Sequence, residues 1–348
     1  MQPEYFIGWD VGGAHLKLCL ISSEGDILRT EQVACPLWKG IEQLHLAIKN
    51  LSESFIFSSA VHAVTMTGEL ADNFKSRHQG VEEIVSAIAG YSSPEQLKIF
   101  AGKAGFLGVE EVSSHSNEIA SANWLASATW LARKLPSGLL IDIGSTTTDI
   151  IPFANGQILT QGYTDQQRMI AGELVYSGIA RTPLMAVTKK APLAGEWVPL
   201  MAELFATTAD IYRILEKLPE YADQYPAADG KEKTRSQSMR RLARMIGADK
   251  EEYSEQVWYE LTEYFSEQQK ITIQKACEQI YAVSNLPDDA PIIAAGTGRF
   301  LVADIAKKLQ RRNTDFKDYL NIKVAVEKFD SADCAPAVAV ALLALESK

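Results

Sequence analysis

Short runs of alternating apolar and polar residues open the chain and predict a meander of three strands. The runs cover residues 5–9, 15–21 and 27–33, and turn-forming residues separate them. The pattern then predicts, in order, a helix at 41–52, a strand at 60–67, a helix at 81–91, a strand at 97–101 and a sparsely charged helix at 120–135. Strands mixed with helices in this way indicate an α/β domain.

The strand pattern starts again at residue 138. Strands are predicted at 138–143, 149–153, 157–163, 291–295 and 322–326, and helices at 193–218, 236–244, 251–282 (as two helices), 299–311 and from Pro336 onward. A polar stretch at 219–238 predicts a long surface loop.

The repeated meander indicates two similar lobes. We place the first at residues 1–136 and the second at 137–334, with a helical insertion at about 193–285. The last helix, 335–348, is expected to pack back on the first lobe. A length of 348 residues is sufficient for two domains of ordinary size.

Composition argues against several classes of function. The net charge of −10 argues against binding to nucleic acid or to an anionic membrane, although backbone N–H groups and Mg²⁺ could still hold a phosphate. The four cysteines are far apart and form no C-x-x-C pair, so we expect buried thiols. The first residues lack a signal-peptide pattern, and no apolar run approaches the roughly 20 residues that span a bilayer. A cytoplasmic location is therefore expected.

Two turns combine glycine with aspartate directly after a strand. The first is Asp10-Val11-Gly12-Gly13, where glycines let backbone N–H groups approach an anion and Asp10 could hold Mg²⁺. The second begins at Asp142, continues with four residues that could bind phosphate, and ends at Asp149; the four are Gly144, Ser145, Thr146 and Thr147. An ordinary capped hairpin and a Thr-rich hairpin are the alternatives.

A third glycine turn follows the buried strand at 291–295. Gly296 and Gly298 lie where that strand leads into a helix N-terminus, which favours anions. Leu301 replaces the third glycine of a dinucleotide-binding motif, and the chain has no Walker sequence.

The order of these three turns resembles that of the sugar kinase/Hsp70/actin superfamily. The resemblance implies a two-lobed ribonuclease-H-like α/β fold, with a phosphate ester and Mg²⁺ held between two hairpins in a central cleft.

Further segments resemble a narrower family, the hydantoinase/oxoprolinase-related proteins of the tetrahydromethanopterin-linked one-carbon pathway. This resemblance extends from Gly8 to Pro336. Its segments are TMTGELAD (65–72), SANWLA (121–126), AGELVYSG (171–178), RTP (181–183), TTADIYR (207–213), ADG (228–230) and RLARMIG (241–247).

The family resemblance implies a transferase that forms an aryl ether during biosynthesis of a methanofuran- or methylofuran-type cofactor. A tyramine- or tyrosine-derived phenol would attack an aminomethylfuran diphosphate, and diphosphate would leave. By this resemblance Asp10 and Asp142 would bind Mg²⁺. The residues expected to bind diphosphate are Gly12, Gly13, Gly144, Ser145, Thr146, Thr147, Arg181, Gly296 and Gly298.

A general base is expected because a free phenol has a pKa of about 10. Glu69, Asp149 and Glu173 are the candidates. Arg240 and Arg244 share a helix face and could bind a substrate carboxylate, or they could simply form a solvated face. Asp333 is expected to cap the last helix.

Two other functions remain open at this point. One is an ATP-dependent phosphotransferase or amidohydrolase of the same fold, and the other is a nucleotide-binding module without catalytic activity. The sequence also leaves open whether the protein forms a homo-oligomer.

Overall fold

The structure is a computed structural model, and it describes residues 3–52, 55, 59–323 and 329–347. Its strands are β1 (Tyr5–Val11), β2 (His15–Ser22), β3 (Asp26–Ala34), β4 (Ala60–Met66), β5 (Leu97–Phe100), β6 (Phe106–Leu107), β7 (Ser137–Ile143), β8 (Thr148–Ala154), β9 (Gln157–Ile158), β10 (Leu174–Val175), β11 (Lys190–Leu193), β12 (Glu196–Pro199), β13 (Ile292–Ala295), β14 (Asn313–Asp315) and β15 (Asn321–Ile322).

The α-helices are α1 (Glu42–Ser52), α2 (Arg77–Ala89), α3 (Ser116–Ile119), α4 (Asn123–Lys134), α5 (Asp165–Ala171), α6 (Leu184–Val187), α7 (Thr208–Ile214), α8 (Arg235–Met245), α9 (Glu255–Ser284), α10 (Val302–Lys308) and α11 (Ala335–Glu346). Across the residues that the structure describes, none of these helices combines the length and the apolar character needed to cross a membrane.

The chain forms two compact units. Unit 1 comprises Met1–Ser137, Phe153–Ile158 and Asp315–Lys348, and unit 2 comprises Gly138–Pro152 and Leu159–Thr314.

Unit 1 is built on a seven-stranded sheet in the order β15-β3-β2-β1-β4-β5-β6. Strands β1, β2 and β3 form an antiparallel meander, and β4 and β5 continue from β1 as parallel strands. Helix α11 is buried along most of its length within this unit. At its end, Glu346 forms ion pairs of 3.0 Å with Arg133 and 2.9 Å with Lys134 of α4.

Unit 2 contains most of a sheet in the order β10-β8-β7-β13-β14. Strand β13 runs parallel to β7. The helices of this unit share one apolar core with the sheet, in which Trp258, Phe265 and Tyr212 are fully buried.

A meander followed by parallel strands is the ribonuclease-H-like topology. The predicted α/β fold with two ribonuclease-H-like lobes is confirmed.

The units differ from the expected lobes at two places. Residues 315–334 were assigned to the second lobe, but their described part lies in unit 1, because β15 pairs with β3 at the sheet edge. Residues 153–158 also lie in unit 1. The end of the strand predicted at 322–326 lies outside the described residues.

The prediction of helix from 193 to 218 was wrong over its first part. Strands β11 and β12 form a hairpin there, and only α7 is helical. Ala194 and Gly195 have φ of 48° and 92°, which suits a two-residue hairpin turn with positive φ at both positions. The pattern at 251–282 was also divided wrongly, since α9 is one helix of 30 residues.

Candidate active site

The first glycine turn lies at the end of β1 in unit 1. Gly12 donates its N–H to the carbonyl of His15 at 2.9 Å, which closes the turn between β1 and β2. Strands β1 and β4 are parallel, and Thr67 donates its N–H to the carbonyl of Val11 at 3.0 Å. The residues that follow β4 therefore lie at the same sheet edge as the turn, which is where ligands bind in sheets of this kind.

Asp10 is 5% exposed and lies beside Thr65 in the β1–β4 register. Asn123, at the start of α4, donates from Nδ2 to Oδ1 of Asp10 at 3.3 Å. The Oγ1 atom of Thr65 is buried and has no hydrogen-bond partner among the described residues. A carboxylate and an uncompensated hydroxyl thus face the same end of the sheet.

Glu69 belongs to a one-turn 3-10 helix, Gly68–Leu70, that packs directly on the first turn. A Cβ atom at Gly68 would lie 3.0 Å from the carbonyl oxygen of Val11 and 3.2 Å from that of Gly12. The Glu69 side chain is buried, and Ser121 donates from Oγ to its Oε1 at 2.8 Å. Two segments that resemble the family therefore meet at this turn.

The second glycine turn connects β7 to β8 in unit 2. Gly144 donates its N–H to the carbonyl of Thr147 at 2.9 Å, and the carbonyl of Ser145 accepts from the N–H groups of Ala180 and Arg181. Gly178 lies against the turn so closely that a Cβ atom there would come within 2.4 Å of the Thr146 nitrogen. The segment after β10 therefore fixes the backbone of the second turn.

Arg181 brings a cation to this turn. Its Nη1 atom is 3.5 Å from Oγ1 of Thr146, and its guanidinium lies 5.9 Å from the ring centre of Tyr225. Arg181 is exposed, so an anion in solvent can reach its guanidinium.

The third glycine turn meets Asp142 at the adjacent strand end. Asp142 pairs in register with Ala295 of β13, and Gly296 has φ of 79°. A Cβ atom at Gly296 would lie 2.2 Å from Oδ1 of Asp142, so any other residue would collide with this carboxylate. Gly298 donates its N–H to the carbonyl of Ile143 at 2.8 Å. Unit 2 thus gathers a carboxylate, two glycine turns and an arginine.

Asp149 and Glu173 have structural partners. Asp149 Oδ1 accepts from Nη2 of the buried Arg168 at 2.8 Å. Glu173 is 1% exposed, and its carboxylate accepts from the Thr160 hydroxyl and from the N–H of Gln161. These contacts join the segments around β8 and β10.

Sequence reasoning did not identify the buried charged network around Asp210. Arg241 donates from Nε to Oδ1 of Asp210 at 2.9 Å, and Ser238 donates to the same oxygen at 2.8 Å. Arg241 also donates to Asp229 at 3.1 Å, and Arg213 donates to Oδ1 of Asp210 at 3.3 Å. Asp210, Asp229 and Arg241 belong to three segments quoted for the family resemblance, and this shared membership was the available signal.

The donor atoms at the two aspartates suit Mg²⁺. Within the described part of the chain, no group of three or more His, Cys, Asp or Glu side chains could hold a metal ion. Magnesium is usually bound by one or two carboxylates together with waters and substrate phosphates. Asp10, beside the unpartnered hydroxyl of Thr65, and Asp142, beside Gly296, fit that pattern.

Asp333 does not cap the last helix. The Asp330 carboxylate accepts a hydrogen bond from the Ala332 N–H at 2.9 Å and caps the 3-10 turn that precedes α11. Asp333 itself is buried, and its carbonyl accepts from Nζ of Lys17 at 2.8 Å.

A family model described as hydantoinase/oxoprolinase matches residues 60–346. A protein of Methanocaldococcus jannaschii, named (4-{4-[2-(gamma-L-glutamylamino)ethyl]phenoxymethyl}furan-2-yl)methanamine synthase, is 34% identical over 247 residues, which are 70% of this chain and 72% of the relative. A protein of the same name from Methanococcus vannielii is 31% identical over 50% of this chain and 77% of its own length.

Among solved structures, a ROK family glucokinase from Streptomyces griseus in complex with glucose and AMPPNP matches with a TM-score of 0.47 and 15% identity. The match covers 97% of this chain and 98% of the glucokinase. The family match covers most of the chain, and the first relative exceeds 30% identity. The chain therefore belongs to the hydantoinase/oxoprolinase family.

Proposed function

We propose that this protein is a transferase of methanofuran-type cofactor biosynthesis. It joins the phenol of a tyramine or tyrosine derivative to an aminomethylfuran diphosphate and releases diphosphate. The observation that carries the proposal is the meeting, at one sheet edge of unit 2, of Asp142, the hydroxyl-rich turn, Arg181 and Gly296. The names of the two relatives support the choice of substrates, because their product is a phenoxymethylfuran that carries a glutamyl group.

The proposed reaction forms one carbon–oxygen bond and breaks another. The phenol oxygen bonds to the methylene carbon of the furan substrate, and the bond from that carbon to the diphosphate oxygen breaks. The bonding electrons leave with diphosphate, and the phenol proton passes to a base. No oxidant, reductant or nucleotide is needed for this balance.

The residues of the second turn would hold the leaving group. Negative charge grows on the diphosphate as the carbon–oxygen bond breaks, and preorganised donors stabilise such charge best. The proposed donors are the hydroxyls of Ser145, Thr146 and Thr147 and the guanidinium of Arg181, which lies 3.5 Å from the Thr146 hydroxyl. Bound Mg²⁺, with Asp142 of the same unit as a proposed ligand, would supply further positive charge to the phosphate oxygens.

We assign the general base to Glu69. Asp149 is paired with the buried Arg168, and Glu173 accepts from Thr160 and Gln161. Glu69 also accepts a hydrogen bond, from Ser121, but it lies in the turn packed on Gly12. Ser121 would orient the Glu69 carboxylate through its 2.8 Å hydrogen bond.

The experiment is a product assay by mass spectrometry. The protein is incubated with Mg²⁺, an aminomethylfuran diphosphate and γ-glutamyltyramine, first without nucleotide and then with ATP. We expect the ether without nucleotide, and we expect Asp142→Asn to reduce the rate about 100-fold or more, as loss of a transition-state contact does. The matched control is Arg235→Gln, because Arg235 is exposed and pairs only with Glu216 at 3.5 Å among the described residues. Ether formation only with ATP, or phosphorylation of either substrate, would support the phosphotransferase instead.

A further inference from the structure

Unit 2 contains a cavity of about 480 Å³ whose wall is rich in charge. Helix α8 supplies Arg240, Arg241 and Arg244, and the polar segment before it supplies Asp229 and Lys231. The volume lies within the usual range of small-molecule sites.

The arginines of α8 differ in how far their charges are compensated. Arg241 is buried and bonded to both Asp210 and Asp229. Arg240 lies 3.6 Å from Glu251, and both side chains are more than half exposed, so this pair contributes little. Among the residues that the structure describes, Arg244 has no carboxylate within ion-pair distance, and neither has Lys231. Lys250, also in the wall, donates to the Ser236 hydroxyl at 3.0 Å. Arg244 and Lys231 are therefore two cations of the wall that a ligand could bind.

The wall of the cavity also contains carboxylates. Glu203, Asp249 and Glu251 line the cavity together with the cations. A group with one carboxylate and one ammonium would find a partner of opposite sign for each charge in such a mixed wall. The free end of an amino acid is such a group.

The polar segment connects the cavity to the second turn. The ring centre of Tyr225 lies 5.9 Å from the Arg181 guanidinium, and Ala228, three residues later, lines the cavity. Three residues span at most about 10 Å. Arg213 holds this segment through Asp223 at 2.6 Å, and Arg241 holds it through Asp229. One anchored segment therefore touches both the phosphate turn and the cavity.

We propose that this cavity binds the amino-acid end of the phenolic substrate, with Arg244 and Lys231 on its carboxylate. The identity of that substrate rests on the proposed function. Charge-assisted hydrogen bonds of this kind are the strong ones, so the cavity would select a phenol that carries a free amino-acid group over one that does not.

The test is a calorimetric titration that needs no turnover. γ-Glutamyltyramine and tyramine share the phenol, but only the first has a free amino-acid group. We expect the unaltered protein to bind γ-glutamyltyramine at least about tenfold more tightly than tyramine. Arg244→Gln should remove most of that preference, and Lys231→Gln should reduce it. Arg235→Gln, on the same helix but outside the cavity wall, should keep it.

The outcomes separate this inference from the proposed function. A preference that survives Arg244→Gln and Lys231→Gln, or no binding of either compound, overturns the cavity assignment. Ether formation together with an unchanged binding preference in Arg244→Gln would support the proposed function and contradict only the cavity assignment. A binding preference that depends on Arg244, found without ether formation, would support the cavity assignment and contradict the proposed reaction.

Discussion

At the scale of single residues, the second turn depends on two glycines that pack closely against it and its strand. Gly178 leaves room for the backbone of Ser145 and Thr146, and Gly296 leaves room for the carboxylate of Asp142. The sequence predicted the glycines of the three turns as direct phosphate contacts. It did not predict the supporting role of Gly178, because a close approach between distant segments leaves no periodic signal.

Gly178→Ala should displace the second turn. The added Cβ atom would lie 2.4 Å from the Thr146 nitrogen and 2.5 Å from the Ser145 carbonyl carbon. Both are backbone atoms of the second turn, so the collision can be relieved only if the turn shifts. We expect the affinity for Mg²⁺-diphosphate to fall at least about tenfold, measured by calorimetry. Gly90→Ala is the matched control, since its Cβ atom would meet only an ordinary contact of 3.6 Å. Equal affinities in the two variants would contradict the packing argument.

Glu69→Gln should reduce the reaction rate, whereas Glu173→Gln should reduce the stability of the fold. The first variant keeps an oxygen for Ser121 but loses the base, so we expect the rate to fall about 100-fold or more with little change in melting temperature. The second should lose about 1–3 kcal/mol of unfolding free energy, because the N–H of Gln161 and the hydroxyl of Thr160 share two carboxyl oxygens, and an amide keeps only one. Rate and urea-unfolding measurements on both variants test this, and a rate loss confined to Glu173→Gln would move the base to that residue.

At the scale of elements, strand order was predictable and local turn chemistry was not. Apolar alternation located β1 to β3 and the β7–β8 hairpin closely. The β11–β12 hairpin was mistaken for helix because its turn is Ala194-Gly195, and alanine is uncommon at positive φ. The polar stretch at 219–238 looked like a free loop, since a sequence does not show that Arg213 and Arg241 anchor it.

Asp210→Ala should release that stretch. The substitution leaves the buried Arg241 without its main partner, and breaking a buried ion pair from one side costs about 3–5 kcal/mol. We expect urea unfolding at lower concentration and faster tryptic cleavage at Lys231 and Lys233. Glu216→Ala, which removes only the exposed pair with Arg235, serves as the control. Unchanged cleavage in Asp210→Ala would show that the network does not hold the segment.

At the scale of the whole molecule, all four cysteines are buried, as the sequence predicted. Burial raises the pKa of Cys35 from 9.0 to about 12, and it raises the pKa of Cys277 and Cys334 as well. Domain boundaries were less predictable, because β15 joins the unit 1 sheet from a distant part of the sequence.

These thiols should make the protein less stable in alkali. Above pH 9 the unfolded chain loses thiol protons that the folded chain keeps, so the unfolding free energy falls as the pH rises toward 12. Each such thiol contributes up to about 1.4 kcal/mol per pH unit. Urea unfolding at pH 8, 9 and 10 should show the decline, and Cys35→Ala should make it shallower. A flat profile would contradict the burial of the thiols.

The most direct test of the central claim is the stoichiometry of the reaction without nucleotide, followed by ³¹P NMR and mass spectrometry in one vessel. With Mg²⁺, the aminomethylfuran diphosphate and γ-glutamyltyramine, we expect one diphosphate to be released for each ether formed. Diphosphate released without ether, or no reaction until ATP is added, would contradict it.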